Sequence, residues 1–474
     1  MNAYTVEQVR RIEGAAMAGQ PDGVLMQRAA AGLATVLLRE LRHRYGRAYG
    51  RRVLILVGPG NNGGDALWAG ARLATRGVAV TAVRCLGTPH PAGLAALRSA
   101  GARLVELADT AHLGRPDLVV DGILGIGGRP GLPKGVSDLL HRLTAVPVVA
   151  VDLPSGVVAD TGAVPESAVT ADVTVTFGLA KICHILEPAR GRSGRLELVD
   201  IGLDPSTETP ALDAWDQDRV RAAWPYPATS SDKYSKGVVG IDCGSEQYPG
   251  AGIMATFGAV HGGAGMVRFL GPESARTMIG TDLPNVVFAA GRVQAHLLGS
   301  GWGDGSERAA TVGDAVGSGL PGVLDADGLS YRPDRMPASW LLTPHAGELA
   351  RLLGWDRADV EADPLRAVRA GVAATGATVL LKGATQLVAR PGTETVEVAV
   401  AGPAWTGQAG SGDTLGGLCA AVLAAGVPAE VAAILGASLQ AITAAAHPGP
   451  LPPHVLARYC AETLGEWTPG AWTP

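Results

Sequence analysis

Two glycine-rich stretches place polar side chains where they could do chemistry. In "LILVGPGNNGGDA", Leu54 to Ala66, the glycines Gly58, Gly60 and Gly63 spell GxGxxG behind an apolar run, the pattern of a dinucleotide phosphate loop. That reading needs an acidic residue about 20 positions on to hold the ribose hydroxyls, and "VAVTAVRCLG" offers only Arg84 there. Nor does cradling a phosphate require two consecutive amides, Asn61 and Asn62. Two further segments, "DGILGIGGRPG" and "VDLPSGV", also follow apolar runs and add Asp121, Asp152 and Ser155. Together with loop carbonyls, Asn62, Asp121, Asp152 and Ser155 make an all-oxygen set suited to a hard cation and poor for a soft metal. Taken singly, an Asn in a glycine turn serves local turn hydrogen bonds and an Asp after a strand caps the next helix. Three such segments in order favour a site.

The second stretch is "TGQAGSGDTLGG", Thr406 to Gly417, where Gly410, Ser411 and Gly412 precede an alanine-rich helical run and Asp413 falls in its first turn. Backbone N–H groups at a helix N-terminus form an anion hole for a transferring phosphoryl group. An Asp there can take the proton of a hydroxyl as it attacks phosphorus. No GxxxxGK[ST] occurs, so this is not a P-loop enzyme. Instead "VLLKGATQLVA" supplies Lys382 at a strand end, "GSGWGDG" a second glycine loop, and "LLTPHAGELARLLG" places His345 and Glu348 at a helix start. Met254 reads as core packing.

These residues need two scaffolds. At 474 residues the chain exceeds one ordinary core. Short β-branched runs, "RVLILV", "VAVTAVRCL", "DLVVDGIL", "VPVVAVDLP", "VTVTF" and "LELVDIGL", alternate with helical stretches, and their continuous apolar character indicates a parallel sheet covered on both faces. Thr5 with Gln8 reads as a capping box, and "LMQRAAAGLATVLLRELRHR" as a second helix. A second alternation runs through "VVGIDCG", "GMVRFLG", "NVVFAAG", "GVLDADGL", "WLLTP" and "TVLLKG" to a helical block beginning at Gly412. Between them, Asp204 to Lys233 is rich in proline, acid and small polar residues without clear period. The expected class is α/β with two doubly wound domains, residues 1–205 and 233–474, joined by a linker over 206–232.

Composition narrows the functions. Lys+Arg 39 against Asp+Glu 44 gives a net charge of −5 without a dominant basic block, which argues against nucleic acid or an anionic membrane as partner. The 66 glycines cluster after apolar runs, the distribution of ligand-binding turns. Five scattered cysteines without a CxxC pair fit a reducing cytosol better than a disulfide framework or zinc site. The N-terminus has no apolar signal-like core, and no uncharged apolar run reaches the roughly 18 residues that span a bilayer. A soluble, cytoplasmic protein is expected.

Residues 1 to about 205 resemble the epimerase domain of the NAD(P)H-hydrate repair enzymes in the ordered stretches "LMQRAA", "GPGNNGGDA", "DGILGIG", "VDLPSGVVADTG" and "VTFGLAK". The resemblance implies a Rossmann-like fold and a potassium ion held by Asn62, Asp121 and Ser155. It implies a hydrated nicotinamide lying against Asn61, Asn62, Gly63, Gly64 and Asp65, the loop Gly125, Ile126, Gly127, Gly128, Arg129, Pro130 and Gly131, and Asp152. Gln27 and Ala66 stand where the family usually has Glu and Gly. Residues 233 onward resemble the ADP- or ATP-dependent NAD(P)H-hydrate dehydratases, a ribokinase-like domain, through "KGVVGIDCGSEQYPGAG", "GGAGMVRF", "GSGWG", "VLDADGL", "LTPHAGELARLLG", "LKGATQLVA" and "AGSGDTLGG". This likeness implies that Lys382, Gly383, Ala384, Thr385, Gln386 and Gly412 contact ADP or ATP, with Mg2+, and that Ala251, Gly303, His345 and Asp413 face the hydrate. Ser411, Ser300 and Asp242 depart from the usual residues.

The implied function is repair of hydrated NADH and NADPH (NADHX, NADPHX) by a homo-oligomer. Asp152 would carry protons as the first domain equilibrates the C6 epimers, and Asp413 would be the base for phosphorylation of the S epimer's hydroxyl before elimination. Three other readings stand beside it: a vitamin or sugar kinase in the second half, a non-catalytic ligand-binding first half, and, weakest, a dehydrogenase.

Overall fold

The computed structural model describes residues 1–305 and 307–468. It divides into two units, Asn2–Leu212 and Asp213–Pro474 with Met1.

The N-terminal unit is built on seven parallel strands in the spatial order Arg103–Glu106, Ala79–Arg84, Arg52–Val57, Leu118–Gly122, Val148–Val151, Val173–Phe177 and Arg195–Val199. Alternate residues of a strand face opposite sides. Val53, Ile55 and Val57 therefore join Leu33, Leu37 and Leu41 of helix Val24–Tyr45 in one core, while Leu54 and Leu56 meet Val136 and Leu139 on the other face. Burial on both faces is why the strands read as unbroken apolar runs. Thr5 and Gln8 cap helix Val6–Met17 reciprocally.

Chain order reverses between Arg52–Val57 and Leu118–Gly122, since later strands step outward on either side of that pair. In open parallel sheets this switch point, at the carboxyl ends of the strands, is where ligands bind. Gly58 follows the first of these strands, and a Cβ there would overlap the carbonyl oxygen of Ile123. Asn61 and Asn62 are not turn residues, because helix Asn61–Ala74 begins with them. Arg84 is taken up by a surface pair with Glu106 at 2.8 Å.

In the C-terminal unit eight strands neighbour one another in the order Met266–Phe269, Val238–Asp242, Ala295–Leu298, Gly322–Leu324, Trp340–Leu342, Thr378–Leu381, Leu387–Ala389 and Val396–Val398. The first six are parallel and the last two antiparallel. Helix Ser411–Ala424 packs on helix Pro249–His261 at backbone contact distance: a Cβ on Gly258 or Gly417 would strike the other helix's backbone. Helix Ala429–Ala446 is long and apolar enough to cross a membrane by length and composition, yet 72% of it is buried inside the fold.

Three expectations need correction. "NVVFAAG" forms no strand, only an isolated bridge between Val287 and Arg268. The segment read as a linker is structured at its centre, with strand Leu212–Ala214 and helix Gln217–Ala223. Trp215, Val220 and Trp224 from it are buried in the C-terminal core, which favours a division at Leu212. Met254 is only half-buried, and its thioether fills the space beside Gly410, so it shapes the phosphate-type turn rather than the core.

Candidate active sites

Among the described residues, two non-glycine residues have positive φ, Asp152 at 67° and Ala326 at 50°. Such backbone costs about 1–3 kcal/mol and persists where surrounding structure enforces it, often at functional sites. Each marks a cluster of polar groups at the carboxyl edge of a sheet.

At the first, Asp152 follows strand Val148–Val151. Its Oδ1 accepts hydrogen bonds from Lys181 Nζ at 2.5 Å and Thr176 Oγ1 at 3.1 Å. His184 Nδ1 accepts from the Lys181 N–H at 3.0 Å, which leaves Nε2 to donate to the Asp152 carbonyl at 2.9 Å. Burial pushes the His184 imidazole down to about 4, with Lys181 adding to the shift, so the ring is a neutral clamp on the strained Asp152 backbone. Burial alone would raise the Asp152 carboxyl, but the Lys181 ammonium outweighs it and holds the group below its ordinary value. Asp152 is thus ionised at neutral pH.

Asp65 lies in the second turn of helix Asn61–Ala74 and is 8% exposed. Its Oδ1 is buried without a hydrogen-bond partner. It lines a cavity of about 560 Å³ together with Glu13, Asn61, Trp68, His90 and Phe177. Burial raises Asp65 well above the ordinary carboxyl range, and Asp152 and Glu13 add to the effect. Glu13 is likewise raised, mainly by burial.

The three residues expected to hold an ion lie around one loop. Asp121 is fully buried, its Oδ1 accepting from Ser155 Oγ at 2.6 Å and its Oδ2 from the Ser155 N–H at 2.8 Å. Burial pushes Asp121 up to about 6 despite these bonds. Ser155 Oγ also accepts from the Leu124 N–H at 2.9 Å, so its hydroxyl braces Asp121 and keeps one lone pair. Both amide atoms of Asn62 are buried with no partner, against Gly125, where a Cβ would approach Asn62 Oδ1 to 3.3 Å. An orphaned amide oxygen and a carboxylate pushed up by burial both favour a bound cation.

The expected substrate loop divides. Asn61 and Asp65 line the cavity, and Gly125 touches Asn62. Ile126 instead packs among Val9, Leu153 and Leu179, and Gly127, Gly128, Arg129 and Pro130 are exposed. Glu13, Lys181 and His184 were not singled out from sequence. Lys181 stood within the quoted "VTFGLAK", but only the fold brings it to Asp152.

At the second cluster, Ser300, Asp325, Thr343, His345 and Lys382 follow four neighbouring parallel strands, and Asp413 enters from the helix facing them. Asp325 is buried and receives Lys382 Nζ at 2.6 Å, Thr343 Oγ1 at 2.8 Å and Ser300 Oγ at 3.0 Å. Burial opposes both charges, but their mutual attraction wins, lowering Asp325 and raising Lys382. Lys382 Nζ lies 3.2 Å from where a Cβ on Gly412 would stand. Expected as a nucleotide contact, it is committed to Asp325 at the mouth of the anion hole. Gly410, at φ 89°, forms the cap of helix Ser411–Ala424, whose first N–H groups lack intrahelical acceptors. Burial and the nearby Asp325 push Asp413 up to about 6.

His345 caps helix Ala346–Leu353 through Nδ1, which accepts the N–H groups of Gly347 and Glu348 at 3.0 and 3.2 Å. Its Nε2 is left for a ligand, 3.4 Å from Glu348 Oε1. Ala251 abuts Gly301, and the Gly303 N–H donates to Asp327 at 2.9 Å, so both border the same loop. In the segment Gly383 to Gln386, Gln386 Oε1 is buried without a partner, and Gly383 and Ala384 are exposed. Asp325 and Ser300 were quoted in sequence without a role; a buried carboxylate after a strand gives no local signal of its partner.

Residues 22–183 match the family described as YjeF-related protein N-terminus, and residues 239–463 the family described as NAD(P)H-hydrate dehydratase. The bifunctional NAD(P)H-hydrate repair enzyme of Mycobacterium leprae is 44% identical over 467 residues, covering 94% of this chain and 95% of the relative. That of Mycobacterium tuberculosis H37Rv is 44% identical over 447 residues, covering 91% and 90%. Among solved structures, the ADP/ATP-dependent NAD(P)H-hydrate dehydratase of Bacillus subtilis, co-crystallised with ATP/Mg2+, aligns with a TM-score of 0.51 at 22% identity. It covers 54% of this chain and 99% of that one, a likeness of fold.

Proposed function

The chain belongs to the bifunctional NAD(P)H-hydrate repair enzymes, joining an epimerase domain to a dehydratase domain, and from that premise we propose how its two sites divide the work. The observation that carries the dehydratase mechanism is Asp413, a half-desolvated carboxylate at the anion-binding end of helix Ser411–Ala424. The hydrate bears a hydroxyl at C6 beside the ring nitrogen. Hydroxide is a poor leaving group and phosphate a good one. Asp413 takes the hydroxyl proton as its oxygen attacks the terminal phosphorus of ADP or ATP, and the amides of Gly410 to Gly412 receive the phosphoryl oxygens. Lys382, held by Asp325, adds positive charge there. The nitrogen lone pair then expels phosphate, and loss of a C5 proton restores the 1,4-dihydronicotinamide. Mg2+ on the nucleotide would neutralise phosphate charge. Gln386 is the segment's best-supported nucleotide contact, since its buried amide oxygen has no partner.

In the first domain Asp152, kept ionised by Lys181, carries the proton that must leave when water returns to an iminium-like C6. A potassium ion would be held by Asn62, Asp121 and Ser155, supported by the orphaned amide and the buried carboxylate; when bound it supplies fixed positive charge beside the substrate loop.

The test uses the full chain with mixed-epimer NADHX, ADP or ATP, and Mg2+, following NADH absorbance. The wild type converts all of the substrate. Asp152→Asn should repair the S half at the normal rate and leave the R half to spontaneous epimerisation. Equal loss on both epimers would refute the two-site division.

A further inference from the structure

Epimerisation at C6 by loss and return of water needs two proton carriers in opposite states, one to protonate the departing hydroxyl and one to deprotonate the incoming water. We propose that Asp65 is the general acid of the epimerase site and Asp152 its complementary base, an assignment that rests on the epimerase reading above. Asp65 follows strand Arg52–Val57 and Asp152 follows Val148–Val151, and between these strands lies Leu118–Gly122, so the two carboxyls reach the site from either side of the switch-point strand. Their surroundings differ in kind. Asp152 Oδ1 takes bonds from Lys181 and Thr176, and its backbone is held by His184. Asp65 lines the cavity, and its Oδ1 is buried without any donor.

A buried carboxyl without partners avoids ionising, and the other charged groups around the site sharpen this. Asp152 and Glu13 repel a charge on Asp65, while Lys181 favours it but is bonded to Asp152. His90 shares the cavity wall, with its Nδ1 accepting the Gly93 N–H, and Arg10 acts on Glu13. Two carboxyls whose environments push them apart are the pattern of an acid and base pair.

The atoms balance without any further reagent. The Asp65 proton passes to the C6 oxygen, and the C–O bond breaks with its electron pair leaving on water. The N1 lone pair forms C6=N1, giving a cationic iminium. Water adds to C6 from the other face, the C=N π pair returns to nitrogen, and the proton lost by that water goes to Asp152. The reverse reaction exchanges the roles, as reversible epimerisation requires.

The full chain is assayed for R to S conversion of NADHX by chromatography, with the spontaneous rate subtracted. Asp65→Asn should lower kcat by about 100-fold or more, the usual weight of a general acid, with KM changed less than about threefold. Dehydration of pure S epimer controls for folding. Wild-type kcat should fall as pH rises and Asp65 loses its proton. Asp65→Glu should restore activity together with that alkaline limb, which Asp65→Asn should lack. An Asp65→Asn rate within about threefold of wild type, a loss confined to KM, or an alkaline limb that survives in Asp65→Asn would overturn the assignment. If Asp152→Asn keeps its epimerase rate while Asp65→Asn loses it, the base reading fails and the acid stands. An inactive wild type would instead remove the epimerase reading itself.

Discussion

Replacing Asp413 with Asn should destroy dehydration and at the same time stabilise the C-terminal unit at neutral pH. The carboxyl is moved from its ordinary 3.8 to about 6, chiefly by burial and then by Asp325. At about 1.4 kcal/mol for each tenfold change, the ionised side chain costs the folded state about 3 kcal/mol above pH 6. The sign follows from proton binding. The folded state holds the proton more tightly than the unfolded chain, so the cost is absent below pH 4, grows as pH rises towards 6, and is constant above. Asn has no charge to desolvate, but it forgoes a favourable carboxylate in a helix's first turn, worth about 0.3–1 kcal/mol. A net gain of about 1–3 kcal/mol is therefore expected at pH 7.5, vanishing towards pH 4. Urea unfolding of full-length wild type and Asp413→Asn, followed by tryptophan fluorescence at both pH values, reads it. Trp224 and Trp467, an edge-on pair 6.5 Å apart in the C-terminal core, report that unit. Dehydratase activity should drop by about 100-fold or more, with epimerisation intact. Wild-type kcat/KM should fall about tenfold per pH unit below about 6. A destabilised Asp413→Asn at pH 7.5, or a wild-type acid limb near 4, would refute the desolvated-base reading.

Two further outcomes follow from the buried clusters. Lys382→Met leaves the buried Asp325 carboxylate without its cation and should cost about 3–5 kcal/mol. Asp325→Asn in the same chain should recover part of that loss in a double-mutant cycle, and strict additivity would mean that the 2.6 Å contact carries no coupling. Asn62→Ala removes an amide that is buried without partners, so in potassium-free buffer it should be neutral or slightly stabilising. Added potassium should raise the unfolding temperature of wild type but not of Asn62→Ala, because only a site that binds the ion gains stability with its concentration. Equal responses in both would leave Asn62 outside any ion site.

The local signals were legible because local physics produces them. The runs "RVLILV" and "VTVTF" are strands over the same residues, since a strand covered on both faces is rich in β-branched and apolar residues without polar alternation strong enough to mark a solvent face. The Thr5–Gln8 box and the Gly410 turn before Asp413 were readable for the same reason: caps and turns are made within a few residues. Short elements were less legible. The antiparallel strands Leu387–Ala389 and Val396–Val398 have three residues each, too few for a period, and "NVVFAAG" has strand-like composition but forms only one bridge.

The motifs in sequence order fixed which loops meet at each sheet edge, and the family likeness gave them a reaction. What only the tertiary structure decided is which side chains are spent on each other. Asp152 finds Lys181 29 residues away, and Asp325 finds Lys382 57 residues away, across the intervening strand Trp340–Leu342. Ser155 is bonded to Asp121, whereas Asn62 and Asp65 keep polar atoms without partners. An Asp has the same letter whether it is paired and ionised or desolvated and protonated. Its state depends on burial and on charges brought close by folding, and those distances belong to the packed chain.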